Sequence, residues 1–319
     1  MSPQLKELFE KELLSKEQFE KIDAIASHKV VSVFYELRTL LYLGVMLFTT
    51  GAGMLIYQNI GDIGHIVSII ALTFIMIGCF WHTIKQATEY VNTPVKSPTP
   101  YYDYVLLLGS LLFVSIQGYL QLQYGLLNDT LGWNTLFTSL FFFYAAYRFD
   151  HIGLLSLAIT ALASFWSITI SPQKWYSGEF FSAAYLHRTA IAFSIALGMI
   201  SMILDNKQIK KHFTFTYLNF CMLIFFVGSV TGLFIDEFIY GAYVLLIYTG
   251  CLFAWYQARN KTSFLFLLYA FLAGYIATTY WLADFVFDKE PTLWFYYSIL
   301  SCGGFVYFII RYRNFFKQA

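Results

Sequence analysis

Long apolar runs separated by short polar segments divide the chain into ten predicted helices. Each run holds roughly 20 residues, the length that an α-helix needs to cross a hydrocarbon core about 30 Å thick. The runs are continuously apolar and do not alternate every second residue, which favours membrane-spanning helices over barrel strands. The predicted spans cover residues 38–57, 63–82, 104–122, 131–147, 152–170, 184–204, 214–234, 238–257, 264–285 and 293–310.

The composition agrees with a lipid environment. Hydrophobic residues make up 58% of the 319 residues and charged residues only 12%, whereas about a quarter of a soluble domain is charged. The sequence therefore predicts an all-α, polytopic transmembrane bundle of about ten spans. Its predicted parts are residues 1–36, a cytoplasmic helical hairpin; 37–310, the transmembrane bundle; and 311–319, a basic cytoplasmic tail.

Basic residues fall almost entirely on one side of this topology. Of 20 Lys and Arg residues, 17 lie before span one, after span ten or in the loops on that same side. Positive charge stays cytoplasmic, so both termini are expected in the cytoplasm. The opposite side holds eight carboxylates against three basic residues, which are Lys174, Arg188 and Lys289.

The first 36 residues are charged throughout and lack the apolar core of a signal peptide. Leu5, Leu8, Phe9 and Leu13 follow helical spacing and form an apolar stripe. This stripe is expected to rest on the membrane surface or on the bundle. The alternative is a docking site for a cytoplasmic protein partner.

Motifs for cofactor chemistry are absent from the sequence. It contains no phosphate-binding loop, no dinucleotide fingerprint, no zinc-protease motif and no nucleophile elbow. The four cysteines stand singly within spans, so we predict no metal and no cofactor. The densest basic run, Lys207 with Lys210 and Lys211, is too short to indicate nucleic-acid binding.

Arg188 is the basic residue that needs a physical explanation, because it lies about one turn inside span six beside His187. An arginine at membrane depth is costly unless its side chain reaches the interface or meets a carboxylate. Reaching the interface is the simpler interpretation. The alternative is an ion pair around a pocket for an anionic group, and the candidate carboxylates are Asp236, Glu237 and Asp284.

Two further groups of polar residues lie at span ends. Asp62 and His65 share one face at the start of span two. Capping of the helix by Asp62 is the favoured interpretation, because an aspartate at a helix start is commonly a cap. The alternative is that the side chains of Asp62 and His65 titrate as a pair. Arg148, Asp150 and His151 crowd the short turn between spans four and five. A structural ion pair is the expected role of that turn.

Glycines inside the spans are expected to mark close helix contacts, because small residues let helix backbones approach in lipid. The glycines in question are Gly44, Gly51, Gly53, Gly228, Gly232, Gly303 and Gly304.

Several segments resemble one known family. These are Leu43–Gly44 through Gly51 and Gly53 to His65, Asp103–Tyr104, Gly118–Gln121 and Phe149–Ile159. They are similar to the uncharacterised membrane proteins grouped as domain of unknown function 2157. A Trp often follows the Asn of the first motif in that family, and Ile60 stands there in this chain. The resemblance implies a polytopic bacterial inner-membrane protein and no established activity.

Three functional hypotheses follow. The leading one is a non-enzymatic integral membrane protein with a scaffold, sensory or accessory role, whose hairpin meets cytoplasmic partners. The second is a transporter or flippase for a small anionic or lipid-like molecule, using Arg188. The third is an enzyme at the outer leaflet using Asp62, His65 or His187; it is the least favoured, because an acid–base pair must converge within hydrogen-bond reach. We therefore assign no catalytic residue.

Overall fold

The computed structural model describes residues 34–59, 62–95, 97–124, 131–170, 185–235, 240–283 and 291–313. These residues contain ten helices and no strand, which confirms the all-α prediction, and each predicted span coincides with one helix to within a few residues. Residues 1–33 and 314–319, with most of the predicted hairpin and tail, lie outside the description. The helices are α1 Phe34–Asn59, α2 Asp62–Gln86, α3 Tyr102–Tyr124, α4 Leu131–Phe149, α5 Ile152–Ile170, α6 Leu186–Lys207, α7 Phe213–Ile235, α8 Tyr240–Asn260, α9 Phe264–Leu282 and α10 Pro291–Arg313.

Five of these helices are long and apolar enough to cross a membrane: the apolar parts of α2 and α3, and the whole of α6, α7 and α9. Shorter apolar stretches lie in α1, α5 and α10. In α8 the mean hydropathy is lowered by Gln257, Arg259 and Asn260 and by several Tyr and Trp residues. Rings of this kind prefer the membrane interface. The described fold is a polytopic helical bundle, and the number of spans is approximate.

The chain divides into two compact units. Unit 1 comprises residues 1–85 and 99–119, and unit 2 comprises residues 86–98 and 120–319. Within unit 1, α1 meets α3 through the rings of Tyr42 and Tyr104, whose centroids are 5.0 Å apart. The α2–α3 contact is close at Gly109, where an added Cβ would lie 3.0 Å from the Cβ of Cys79.

Helix α7 is the centre of unit 2. It packs against α5, α6, α8 and α9, and its buried residues lie on several of its faces. A helix that is apolar all round is expected to be surrounded by other helices. Accordingly, α7 provides part of the core of unit 2.

Helix α10 packs on α9 through the stacked rings of Phe271 and Phe308, whose centroids are 4.2 Å apart.

The predicted role of glycine holds for two glycines of α7 and fails for four glycines of α1 and α10 whose surroundings the structure describes. A Cβ at Gly228 would lie 3.1 Å from the backbone oxygen of His187 on α6, and a Cβ at Gly232 would overlap the ring of Tyr243 on α8. These two residues, one turn apart, allow α6 and α8 to approach α7. The packing prediction is wrong for Gly44, Gly51, Gly303 and Gly304, around which a Cβ would meet no described atom within 4 Å.

Three helical hairpins in unit 2, α4–α5, α6–α7 and α8–α9, have tight turns. Residues with left-handed backbone conformation occur in each turn: Asp150 with φ 57°, Gln208 and Lys210 with φ 54° and 45°, and Thr262 with φ 48°. A residue in this conformation commonly terminates a helix. Side-chain bonds described below link these turns to one another, so their polar groups meet at one end of the unit.

Candidate functional site

The turn between α4 and α5 is shaped by Asp150, His151 and Gly153. The left-handed conformation of Asp150 ends α4, and the His151 N–H donates to the Ala146 carbonyl at 3.1 Å. The buried His151 ring then accepts a hydrogen bond at Nδ1 from the Leu154 N–H at 3.0 Å, so it satisfies one of the free donors at the start of α5. A Cβ at residue 153 would lie 2.7 Å from Cε1 of this ring, so the position requires glycine.

The carboxylate of Asp150 receives hydrogen bonds from three parts of the chain. Its Oδ1 accepts from Nζ of Lys210 and from Nε2 of His212, both at 2.7 Å. Its Oδ2 accepts from the backbone N–H of Val95 at 2.7 Å. We call these four residues the Asp150 cluster. They join the segment before α3, the α4–α5 turn and the α6–α7 turn.

The ion pair between Lys210 and Asp150 is almost completely buried, so the loss of either charge would be costly. The side chain of Lys210 is 1% exposed and that of Asp150 is 7% exposed, whereas His212 keeps 18% of its surface in contact with solvent. The Lys210 ammonium also lies 5.0 Å from the centroid of the Tyr90 ring, a cation–π distance. A buried ammonium needs a nearby negative charge, and Asp150 supplies it.

The segment of residues 87–95 is also held to the same end of unit 2 by a contact with Arg148. Nη1 of Arg148 donates to the Thr88 carbonyl at 2.9 Å. Together with the Val95 bond and the Tyr90 ring, this contact fastens the non-helical segment after α2 over the turns of unit 2. The prediction of a structural ion pair within the α4–α5 turn is therefore only half right: Asp150 does form an ion pair, but its partner is Lys210 of the α6–α7 turn, and Arg148 binds a backbone carbonyl.

An aromatic layer adjoins the cluster. The ring of His212 lies edge-on to Phe213 with centroids 4.6 Å apart, and Phe213 in turn packs edge-on to Tyr147. The hydroxyl groups of Tyr147 and Tyr217 lie 3.1 Å apart and share a hydrogen bond. This layer ties α4 to α7 directly next to the charged groups.

The environment shifts the titration of Asp150. Burial alone would raise the pKa of its carboxyl group. The hydrogen bond from Lys210, the Val95 N–H and the charge and hydrogen bond of His212 outweigh burial, so the pKa of Asp150 lies below its ordinary value of 3.8. Asp150 is therefore ionised throughout the physiological range of pH.

This shift predicts a loss of stability in acid. A carboxyl group whose folded pKa is lowered stabilises the fold fully above its unfolded pKa, and that contribution is lost as the pH falls through the folded value. We expect the free energy of unfolding in detergent to fall below about pH 4, near the ordinary pKa of 3.8. The Asp150→Asn variant should show a shallower acid dependence; an identical pH profile for both proteins would contradict the assignment.

The residues nominated from the sequence on the opposite side are only partly described. His187 is buried and its ring lies 5.6 Å from that of Tyr243, edge to face. Arg188, the next residue of α6, is exposed. Adjacent positions on a helix point in different directions, so the two side chains do not form one site.

The remaining nominated residues cannot be placed against them. Asp236, Glu237 and Asp284 lie outside the described residues. Asp62 and His65 belong to the first turn of α2, and the description covers their backbone only. The ion pair of Arg188 with an outer carboxylate stays a prediction, as does the pairing of Asp62 with His65.

Sequence reasoning missed the contribution of Lys210 and His212 to the site. The sequence relates Asp150 only to its neighbours in the chain, whereas its two charged partners follow 60 and 62 positions later. One usable signal was present, because the charge pattern places the α4–α5 and α6–α7 turns on the same side of the membrane. The described residues include no group of three or more His, Cys, Asp or Glu side chains arranged to hold a metal ion.

Comparison with known proteins gives a match to one family model. No curated protein and no solved structure matches the chain. The segment that matches the family model runs from the N-terminal region through the Asp150 turn into α5, so Lys210 and His212 lie beyond it. Residues 6–155 match the family described as Predicted membrane protein (DUF2157), an uncharacterised membrane family, which confirms the resemblance.

Proposed function

We propose that the protein is a non-enzymatic integral membrane protein with a scaffold, sensory or accessory role. It resides in the inner membrane of a bacterial cell with both termini in the cytoplasm, and residues 1–36 contact a cytoplasmic protein partner. The match of residues 6–155 to a membrane-protein family and the apolar helices support the membrane part of this proposal.

The Asp150 cluster is the observation that carries the structural role. A catalytic carboxylate must reach the proton that it moves, within about 3 Å or through one water. Both oxygens of Asp150 instead accept hydrogen bonds from donors of its own chain. Asp150 therefore works as a fastener between segments, which supports a scaffold role for this end of unit 2.

The placement of basic residues supports the orientation. The α6–α7 turn and the end of α8 carry Lys207, Lys210, Lys211, Arg259 and Lys261. The bond between Nζ of Lys261 and Oδ2 of Asp205, 3.0 Å long, links the α8–α9 turn to the last turn of α6. A concentration of cations at one end of the helices favours a cytoplasmic position for that end.

Partner capture tests the proposal. Full-length protein solubilised from its own membrane should retain a cytoplasmic partner in a pull-down, and deletion of residues 1–36 should abolish that capture while the bundle stays folded. Leu8→Ser with Phe9→Ser should act like the deletion, because it removes the predicted apolar stripe. Glu10→Gln, a matched control on the same segment, should leave capture unchanged. Equal capture by the full and the shortened chain would refute the proposal.

A transporter or flippase is the second candidate, and one observation favours its lipid-like version. The described part of unit 2 includes two apolar clefts of about 310 and 260 Å³, and Arg188 does not line either of them. Apolar walls suit an acyl chain better than a small anion. Movement of a fluorescent phospholipid between leaflets of vesicles containing the purified protein would favour this candidate over the scaffold.

A further inference from the structure

We propose that the larger cleft of unit 2 is a binding site for an anionic phospholipid. The cleft has a volume of about 310 Å³ and lies between α6 and α8, with α7 as its floor. Its lining includes Met199 and Met202 of α6, Met222 and Phe225 of α7, and Phe253 of α8. This volume falls at the lower end of the range of ligand sites, about 300–1,000 Å³. The inference goes beyond the scaffold role and does not depend on it.

The cleft opens to the surface of the helices. Met199 and Met202 are exposed along one wall, and Thr249 is exposed along the other. On the floor, Met222 is buried. The apolar segments of α6 and α7 are long enough to cross a membrane, so the surroundings of the opening are hydrocarbon. The occupant must therefore be apolar at this depth.

Two glycines bring the walls of the cleft close to its floor. A Cβ at Gly250 would overlap Cε1 of Phe225, and a Cβ at Gly198 would lie 3.1 Å from Sγ of Cys221. The space that a side chain would need at these positions is filled by residues of α7, so α6 and α8 pack closely on α7 there. The unbranched methionine side chains beside them can adjust to a flexible chain.

Charged residues beyond the lining of the cleft, toward the α6–α7 turn, favour one class of lipid. Asp205 follows Met202 by three residues on the same face of α6, and it binds Lys261 at 3.0 Å. Exposed Lys207 and Lys211 border the same α6–α7 turn. These cations exceed the single carboxylate of Asp205, so a negative headgroup is favoured at this end.

The end of α8 adds an interfacial anchor. Cζ of Arg259 lies 4.0 Å from the centroid of the Trp255 ring. Tryptophan prefers the boundary between hydrocarbon and headgroups, and Arg259 provides a further exposed cation at that boundary. An acyl chain in the cleft would therefore place its phosphate at the level of these basic residues.

The lining of the cleft argues for a lipid chain as its occupant. Its walls and floor are made almost entirely of apolar side chains and glycines. An extended acyl chain is thin and flexible, so it can enter such a cleft lengthwise.

Native mass spectrometry of the purified, delipidated full-length chain tests the site. The protein is titrated with phosphatidylglycerol and, separately, with phosphatidylcholine of identical acyl chains. We expect at least fivefold tighter binding of phosphatidylglycerol, since each basic residue near the surface attracts an anionic lipid. Equal binding of both lipids would overturn the proposal.

Two pairs of variants locate the binding. Met202→Trp fills the cleft from its exposed wall and should weaken phosphatidylglycerol binding about tenfold, by loss of buried acyl surface. Leu252→Trp, at an exposed position of α8 outside the lining, should leave it unchanged. Lys207→Gln with Lys211→Gln should lower the preference for phosphatidylglycerol at least fivefold. The same loss of charge in Arg311→Gln with Arg313→Gln should not.

Each remaining outcome is decisive. If Met202→Trp does not fold, Thr249→Trp from the opposite wall replaces it with the same expected loss. Undiminished lipid binding in a folded cleft-filling variant would overturn the site. So would loss of a dimer in that variant without loss of lipid, because a second copy of the chain would then occupy the cleft.

Discussion

Replacing Asp150 by asparagine is expected to destabilise the folded protein by about 3–5 kcal/mol. The substitution preserves the shape of the side chain, and asparagine tolerates the left-handed conformation that residue 150 adopts. It removes the negative charge beside the ammonium of Lys210, which is 1% exposed and 2.7 Å away. The cost arises because a buried cation remains without a counter-charge. The measurement is the free energy of unfolding in mixed detergent micelles.

Asp205→Asn is the matched control for this variant. Asp205 also pairs with a lysine across a helix boundary, at 3.0 Å from Lys261, but the two side chains are 34% and 23% exposed. An ion pair with that exposure contributes about 0–1 kcal/mol. Equal losses in the Asp150 and Asp205 variants would show that burial of Lys210 does not set the cost.

The second large effect is expected at Gly232. Alanine there should destabilise the protein by about 1–3 kcal/mol, because its methyl group would overlap the buried ring of Tyr243 and force α7 and α8 apart. Helix propensity acts in the opposite direction, because alanine is favoured over glycine in a helix by about 1 kcal/mol. A net loss would therefore show that packing outweighs propensity at this contact.

Gly241→Ala gives the opposite expectation on the neighbouring helix. A Cβ at residue 241 meets no described atom within 4 Å, so the variant should be neutral or more stable by up to about 1 kcal/mol. In a protein that already carries Tyr243→Ala, the substitution Gly232→Ala should cost much less unfolding free energy, since the ring that its methyl group would overlap is gone. A Gly232→Ala protein as stable as the wild type would contradict the close α7–α8 contact.

The helices were predictable from the sequence because their signal is local. Each apolar run carries its own length and its own polar boundaries, so α5 begins and ends at the predicted residues 152 and 170. The sequence shows which glycines lie within spans, but it does not show which of them contact a neighbouring helix. Gly232 and Gly303 have equally apolar surroundings in sequence, but among the residues that the structure describes, a neighbouring helix lies within contact distance of Gly232 and not of Gly303.

The Asp150 cluster was beyond prediction from one sequence for a different reason. Its bonds depend on which turns meet in space, and the topology fixes only the side of the membrane on which each turn lies. Arg148, two residues away, was the natural partner for Asp150. The left-handed conformation of Asp150 instead accompanies bonds to Val95 and Lys210.

The nominated outer site illustrates the same limit. Burial separates His187 from Arg188, although the two are adjacent in the chain. A sequence places residues at a depth in the membrane, and the rotation of the helix decides which of them faces protein. His187 faces Tyr243 in the core of unit 2.

The double-mutant cycle of Asp150 and Lys210 tests the central claim, that the cluster is a structural fastener. Unfolding free energies are compared for Asp150→Asn, Lys210→Met and the combined variant. We predict that the combined loss is smaller than the summed single losses by about 1–3 kcal/mol, because removing both charges leaves neither one buried alone. Single losses that simply add would show that the two residues stabilise the fold independently, and would contradict the account.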